Sequence, residues 1–455
     1  MFSASLPLGA DTGAYVGVGD IYVRYDRDAE YSAKDFGKTL ELKGWKGERV
    51  HGLLVVGDKA GFSALSASTD NSSSRVDVLR YTSGGGKLYA DIVEAPTAKK
   101  YEGTTRPFLY TFDIPRNVSA RTIRDTVRFS VNGRKFALPV KITVENKVLL
   151  PPSEWKFRLD IWQHPEAIAR WHKVEKWSDE HFRLLTEYYR ILADAGQKTI
   201  TASIVDEPWN GQTYDKFSSM IGEGDDFTVF DKVVEAAEKA GLANAEIDCY
   251  SMIPWSLKFD PSSPEYEEYW GKRLEKFAAH LKEKGWLKRT RIAMDERPDR
   301  LLKGAIDVLR RHAPGLEFVM ACDHPSELND NAKSVSYAYQ HRERLLPVCE
   351  ARRRAGKTTT FYVCCNPKKP NTFLASDLHE CEALPMEAAR LGFDGFLRWA
   401  FNSWPADPLV SQDFGNWPAG DTSLVYPGPR LSLRWVLLRE GLENVVKNYG
   451  IIGDK

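Results

Sequence analysis

The stretch Arg291-Ile292-Ala293-Met294-Asp295-Glu296 combines a short apolar run with two adjacent carboxylates. The run predicts a buried strand, and Arg297-Pro298 directly after the acids predicts that the chain leaves the strand there. Neighbouring side chains of a strand point to opposite faces, so both carboxylates reach one pocket only where the pleat ends. Two acids with different pKa values can divide the work of breaking a glycosidic bond. Asp206-Glu207 is a second such pair, and a solvated turn is the plain alternative for either pair.

Seven further runs of this kind surround the first. The eight predicted strands are Phe157–Ile161, Thr199–Val205, Glu246–Ser251, Arg291–Met294, Glu317–Cys322, Ser334–Tyr339, Thr359–Cys364 and Gly395–Ala400. Helical patterns lie between them: an apolar period of helical spacing follows Ser178, and Ser263-Pro264 opens a long helix that Gly285 closes. Eight strands, each followed by a connection, predict an α/β fold, a (β/α)8 TIM-type barrel. A doubly wound open sheet is the alternative, but no strand leads through Gly-x-Gly-x-x-Gly into a helix.

The first part of the chain has a different pattern, with short alternating runs separated by turns. Asn132-Gly133 between two such runs is typical of a tight hairpin, and Ser83–Gly86 separates two more. Because no long helical period occurs there, residues 1–150 are predicted to form an antiparallel β-sandwich accessory domain. Leu149-Leu150-Pro151-Pro152 then breaks the pattern, and the barrel is expected to occupy residues 151–455.

Composition narrows the class of partner. The 455 residues include 63 basic and 63 acidic side chains, so the formal net charge is zero, and no dense Lys/Arg stripe is present. Neither nucleic acid nor a membrane surface is therefore the expected partner. No apolar run approaches the roughly 18 residues of a membrane span, and Met1–Tyr15 lacks the pattern of a signal peptide. A soluble protein is expected, periplasmic or secreted if a leader was removed and cytoplasmic otherwise; the oligomeric state is not predicted.

The residues after the barrel strands are expected to converge, because the carboxyl ends of the strands meet at one rim. Acids, amides and indoles around one mouth suit a neutral, hydroxyl-rich ligand, although each alone is equally typical of core or loop packing. The candidate binding residues at these strand ends are Trp162, His164, Glu207, Trp209, Tyr250, Tyr337, Trp399, Asn402 and Trp404.

Other kinds of site find less support. Asp323-His324 with His341 or His164 would be the candidate metal ligands, but no His-x-x-x-His or His-Glu-x-x-His spacing occurs, so no metal is predicted. A nucleophile elbow, Gly-x-Ser-x-Gly, is absent, which disfavours an esterase-type hydrolase. None of the six cysteines forms a Cys-x-x-Cys pair, and all are expected to be reduced and buried. Cys364-Cys365 at a strand end offers a nucleophile, but burial would raise the thiol pKa and leave it inert.

Longer stretches of the chain also match a known pattern. They are Trp45–Arg49, Thr105–Pro107, Asp113–Pro115, Leu159–Pro165, Glu207–Asp215, Cys249–Trp255, Met294–Glu296, Tyr362–Pro367, Phe396–Trp404 and Gly420-Asp421. Together these stretches resemble glycoside hydrolase family 123, the N-acetyl-β-galactosaminidase-like enzymes, and its wider group of relatives. The resemblance covers nearly all of the chain. The family's Asp-Glu-Pro is here Asp-Glu-Arg-Pro, an insertion that leaves the two acids in place.

The resemblance implies roles for the acid pair and decides for Asp295-Glu296 over Asp206-Glu207. Glu296 becomes the general acid and then the base, Asp295 orients the 2-acetamido group of the substrate, and Tyr362 joins the substrate-binding residues. The implied activity is retaining exo-hydrolysis of terminal β-linked N-acetylhexosamine, with N-acetylgalactosamine as the first choice, on an oligosaccharide or glycoconjugate and without a cofactor. Adjacent acids on one side of the sugar leave the substrate's acetamide oxygen as the nucleophile, which is substrate-assisted catalysis.

Three alternatives stay open. The same barrel can act on a sugar that lacks an acetamide group. A non-catalytic carbohydrate-binding protein would keep the aromatic rim but has no use for both carboxylates. A metal-dependent hydrolase would lose turnover in the presence of a chelator.

Overall fold

A computed structural model describes residues 13–97, 100–324 and 326–450 of the protein. The chain forms two compact units, one of residues up to 149 with 431–433, and one of residues 150–430 and from 434 onward. Most of the Met1–Tyr15 segment lies outside the described residues. Within the described ranges, no helix is both long enough and apolar enough to cross a membrane.

The first unit consists of two β-sheets. Its strands are β1 Ala14–Gly19, β2 Leu40–Lys46, β3 Arg49–Asp58, β4 Leu65–Thr69, β5 Ser74–Gly84, β6 Lys87–Glu94, β7 Thr105–Asp113, β8 Thr122–Val131 and β9 Arg134–Val148. Five strands form an antiparallel sheet in the order β1-β3-β7-β5-β6, and four form a second sheet in the order β2-β9-β8-β4. In the second sheet β2 pairs with β9 in parallel, which departs from the purely antiparallel expectation.

The turn between β8 and β9 is the predicted tight hairpin. Asn132 has φ of 50° and Gly133 has φ of 85°, the left-handed backbone that a two-residue turn between twisted strands requires. Buried side chains such as Leu54, Phe108 and Phe129, drawn from both sheets, form one apolar cluster. This core gives the predicted sandwich its stability.

The second unit contains eight parallel strands. They are β10 Arg158–Ile161, β11 Thr199–Ser203, β12 Glu246–Tyr250, β13 Thr290–Asp295, β14 Glu317–Cys322, β15 Ser334–Ala338, β16 Thr358–Val363 and β17 Gly395–Arg398. Neighbours in the order β10-β17-β16-β15-β14-β13-β12-β11 pair in parallel. A bridge between Leu159 and Gln197 links the two ends of the sheet, which makes the barrel nearly closed. The predicted barrel is confirmed. A two-stranded pair, β18 Val425–Tyr426 and β19 Arg430–Leu431, follows in the sequence.

Helices occupy most of the connections between the barrel strands. They are α1 Pro165–His172, α2 Asp179–Asp194, α3 Thr228–Ala237, α4 Pro264–Glu283, α5 Asp299–His312, α6 Cys349–Arg354, α7 Leu378–Leu391 and α8 Leu433–Tyr449. Ser178 caps α2 and Ser263 caps α4, each accepting a backbone N–H of the first turn, as the sequence predicted. Gly285 follows α4 with φ of 76° and ends that helix.

The barrel interior positions the site. Ala293 of β13 packs among aromatic side chains at the end of the barrel where the carboxyl ends of the strands lie. Ala321 and Ala338 belong to the same cluster. Because side chains alternate along a strand, Asp295 faces the same way as Ala293, two residues before it. The small alanine side chains leave space for rings to pack beneath the carboxylate.

Candidate active site

Asp295 and Glu296 stand at the end of β13. Asp295 is its last residue, and Glu296 follows with φ of 48°, a left-handed conformation that is rare for a residue with a side chain. The Glu296 N–H donates to the Ala321 carbonyl at 2.9 Å, which fixes this turn against the neighbouring strand. The turn ends the alternation of the strand, so the strand no longer holds the two carboxylates on opposite faces.

Each carboxylate has its own donor. The Trp209 Nε1–H donates to Asp295 Oδ2 at 2.7 Å, and the Tyr362 hydroxyl donates to Glu296 Oε1. The two donors come from strand exits on either side of β13, one after β11 and one on β16. Separate donors hold the neighbouring acids apart and give each a defined orientation.

The two carboxyl groups bind protons more tightly than ordinary acids. Burial raises the pKa of Asp295 far above its usual value, the adjacent charge of Glu296 raises it further, and the Trp209 donor lowers it in part. Burial also raises the pKa of Glu296, and the Tyr362 hydroxyl opposes that rise. Such a pair keeps a shared proton at pH values where isolated carboxyl groups are ionised, which is what a general acid requires.

An aromatic wall stands beside the acid pair. Trp162 stacks on Trp209 with ring centroids 5.3 Å apart and lies 4.7 Å from Tyr250. These rings and Tyr362 belong to one buried cluster. Trp162 Nε1 is buried without a hydrogen-bond partner among the described residues, so it is free to donate to a ligand. The structure brings these four predicted residues together.

Three other predicted residues lie around this cluster. The His164 ring is 6.0 Å from Trp399 and is buried, and burial lowers its pKa to about 3, so it is neutral. Trp399 is half-buried and donates from Nε1 to Asp421 at 3.3 Å. Glu207 is on the loop that carries Trp209; its Oε2 accepts the Gly211 N–H at 3.0 Å.

Three other predicted binding residues lie outside the aromatic cluster, and their polar atoms make hydrogen bonds inside the fold. Tyr337 is buried, and its hydroxyl accepts the Ser326 N–H at 2.9 Å; the next residue, Ala338, faces the site, so Tyr337 faces away from it. Asn402 is fully buried and pairs with both backbone groups of His164. Trp404 is fully buried and donates to the Val425 carbonyl at 2.7 Å.

Phe217 also contacts the aromatic cluster, although no sequence pattern indicates it. Its ring lies 4.8 Å from Trp209 and 5.1 Å from His164. An apolar residue in a long loop between β11 and α3 is indistinguishable by sequence from ordinary loop packing. Phe217 supports the back of Trp209 and thereby the donor to Asp295.

The cysteines depart from the prediction at one place. Four are buried, but Cys364 and Cys365 are half-buried, with sulfur atoms 3.9 Å apart. The expectation of six buried thiols is wrong for these two, which lie directly after the end of β16 at Val363. The pKa of Cys364 is raised and that of Cys365 is lowered by the contact between them. Among the described residues, no group of three His, Cys, Asp or Glu side chains has an arrangement suited to a metal ion.

Comparison with known proteins identifies the family of the chain. The family model described as "Glycoside hydrolase 123, catalytic domain" matches residues 162–448, more than half of the chain. The chain belongs to glycoside hydrolase family 123. It is a glycosidase, and its substrate is a carbohydrate or glycoconjugate. No curated protein matches the sequence.

Among solved structures, a family 123 glycoside hydrolase from Clostridium perfringens superposes on this protein with a TM-score of 0.87 and 23% sequence identity. The match covers 96% of the present chain and 88% of the Clostridium perfringens chain. This likeness shows that the two proteins share a fold. A β-glucuronidase from Bacteroides uniformis has a TM-score of 0.35 and 10% sequence identity; the match covers 87% of the present chain and 50% of the β-glucuronidase. A family 20 exo-β-N-acetylglucosaminidase from Vibrio harveyi has a TM-score of 0.30 and 10% sequence identity; the match covers 97% of the present chain and 99% of the Vibrio harveyi chain. The last two are too distant to bear on function.

Trp209→Phe is expected to lower glycosidase activity by about 10-fold or more, because the charge-assisted hydrogen bond to Asp295 is lost while most of the ring packing remains. The Trp209 N–H stabilises the ionised form of Asp295, so its removal raises the pKa of Asp295. The acidic limb of the pH–rate profile should therefore move to higher pH. Steady-state kinetics across pH checks both. An unshifted limb with lower activity would mean that the indole acts through packing alone.

Proposed function

We propose that this family 123 enzyme removes terminal β-linked N-acetylhexosamine, with N-acetylgalactosamine as the first choice, by substrate-assisted catalysis with retention of configuration. The observation that carries the proposal is the pair Asp295 and Glu296, adjacent at one strand end, each with its own donor. Both acids stand at the end of one strand, so both would lie on the same side of a bound sugar. The substrate's acetamide oxygen is then the available nucleophile.

In the first step, Glu296 donates its proton to the glycosidic oxygen as the bond to the anomeric carbon breaks. The acetamide oxygen bonds to that carbon and forms an oxazolinium ring, whose N–H faces the Asp295 carboxylate. In the second step, Glu296 accepts a proton from water, and the water oxygen bonds to the anomeric carbon as the ring opens. Two displacements at one carbon restore the original configuration.

Substrate binding sets the protonation states that these steps need. Burial raises the pKa of both carboxyl groups, so the pair holds a proton more tightly than two separate acids would. A bound acetamide N–H donates to Asp295 and favours its ionised form. The shared proton then stays on Glu296, where the leaving oxygen needs it. The pair is therefore prepared for catalysis by the group that defines the substrate.

In this proposal the barrel of residues 151–455 is the catalytic domain. The β-sandwich of residues 1–150 is an accessory domain. The Clostridium perfringens protein is described in connection with glycolipid glycan hydrolysis, and a glycolipid glycan is therefore one natural substrate to include in the test.

Aryl β-glycosides of N-acetylgalactosamine, N-acetylglucosamine, galactose and glucose form the deciding panel. The N-acetylgalactosaminide is expected to have the highest kcat/KM, and the galactoside should be slower by more than about 10³-fold, because it lacks the intramolecular nucleophile. Proton NMR should show the β-anomer of the released sugar first. Equal turnover of the galactoside, or the α-anomer first, would contradict the mechanism. Loss of turnover in chelator would instead indicate a metal-dependent hydrolase.

A further inference from the structure

Arg297 occupies the short connection between Glu296 and α5, beside the acid pair. Its side chain is half-buried, and its Nε is buried without a hydrogen-bond partner in the described part of the chain. The guanidinium carbon lies 5.9 Å from the centre of the Trp255 ring. A buried N–H without an acceptor costs free energy, so a guanidinium in this state calls for an explanation.

Trp255 supplies a second donor of the same kind. It packs against the aromatic cluster of the site, and its backbone N–H donates to the Pro208 carbonyl at 2.9 Å. Its Nε1 is buried and has no acceptor among the described residues. Arg297 follows β13 and Trp255 follows β12, and these two strands are neighbours in the barrel. Two adjacent loops thus carry unpaired N–H groups beside the acid pair and the aromatic cluster.

The nearby charges do not satisfy Arg297. Burial lowers the pKa of Arg297, the negative charge of Asp295 opposes that effect, and the guanidinium makes no ion pair with a described carboxylate. By contrast, Arg300, three residues later, pairs with Asp260 at 2.9 Å. A planar guanidinium with open donors matches the oxygens of a sulfate ester or a carboxylate, and an indole N–H adds one more donor.

We propose that Arg297 and Trp255 bind an anionic substituent of the glycan, a sulfate ester or a carboxylate, next to the sugar that is cleaved. The inference rests on the proposed function for its place in the reaction, although binding can be measured without turnover. Because Asp295, Glu296 and Asp323 give this mouth acidic groups, an anionic glycan needs a local cation to approach it. Arg297 provides that cation and makes the enzyme favour acidic over neutral glycans.

The test compares neutral and anionic forms of the same sugar. Wild-type enzyme and Arg297→Gln are assayed on aryl N-acetylgalactosaminide, on its 4-sulfate and 6-sulfate, and on an oligosaccharide that carries a carboxylate. The ratio of kcat/KM for the anionic substrate to that for the neutral one should fall by about 10- to 100-fold in Arg297→Gln. Arg297→Lys should keep part of the preference, and the preference should weaken with ionic strength. The sulfated and carboxylated substrates show which anion is the better ligand.

Arg300→Gln is the matched control, because it removes the same group from an exposed position with its own acid partner. It should leave the ratio unchanged. If Arg297→Gln lowers activity on neutral and anionic substrates equally, the arginine acts through the charge of Asp295, and the inference is overturned. Melting temperatures of all variants separate both results from misfolding.

A binding measurement separates this inference from the proposed function. Calorimetry with N-acetylgalactosamine and its sulfates should show tighter binding of a sulfated sugar to the wild-type protein and a loss of that difference in Arg297→Gln. If the wild type hydrolyses no N-acetylhexosaminide but still binds the sulfated sugar through Arg297, the proposed function fails and the inference stands. If the enzyme hydrolyses the neutral substrate and shows no preference for an anionic glycan, the proposed function stands and the inference about Arg297 fails.

Discussion

Glu296→Gln is expected to lower kcat/KM by about 10²–10⁴ on a natural disaccharide, because the amide keeps the shape of the side chain but has no proton to give. An aryl glycoside with a good leaving group departs without protonation, so its first step should suffer much less. The Tyr362 hydroxyl still has an oxygen to donate to, and folding should be preserved. Steady-state kinetics on both substrates, with melting temperature as a check, gives the comparison.

The matched control for this variant is Glu268→Gln on the exposed side of α4, which should behave as wild type. If Glu296→Gln retains wild-type activity on the disaccharide, the proton donor lies elsewhere. Glu207 is then the first candidate, because it belongs to the other acid pair and its Oε1 is buried without a partner among the described residues.

The barrel was predictable because its signal is local. Each strand is a short apolar run, and the observed bounds differ from the predicted ones by no more than two residues. Buried parallel strands are apolar on both faces, so a run identifies the strand without showing which side chains point inward. Tyr337 illustrates the consequence: the sequence places it at the rim, but in the structure Ala338 faces the site and Tyr337 faces away. A one-residue change of register reverses every such assignment.

The contacts that organise the acid pair are long-range and have no local signal. Trp209 and Asp295 are 86 residues apart, and only the closure of the barrel places the indole against the carboxylate. Trp404 and Asn402 are at a strand exit and look like ligand-binding residues, but the fold uses their polar atoms to pair backbone groups. The left-handed turn at Glu296 is equally invisible, since no glycine marks it.

Asp295→Asn is expected to lower kcat by about 10²–10³ on N-acetylgalactosaminides, because an amide cannot supply the negative charge that stabilises the oxazolinium. A thiazoline analogue of that intermediate should bind the wild-type enzyme much more tightly than the parent sugar does, and the variant should lose most of that difference. Inhibition constants measure both. If the thiazoline fails to inhibit and a fluorosugar labels Asp206 or Glu207 covalently, an enzyme nucleophile replaces the acetamide.

The same substitution should stabilise the protein, and the pH at which it does so identifies the cause. Burial and the charge of Glu296 raise the pKa of Asp295 in the folded state, so ionising it there costs free energy that the unfolded chain does not lose. At pH values below the pKa of an ordinary carboxyl group, Asp295 is protonated in both the folded and the unfolded protein. The variant and the wild type should then have the same melting temperature. As pH rises towards the raised pKa the wild type alone loses stability, and each kcal/mol lost should widen the gap by roughly 2–4 °C. A gap that is constant with pH would trace the gain to packing, and a less stable variant at neutral pH would show that the Trp209 hydrogen bond to a charged Asp295 outweighs its burial.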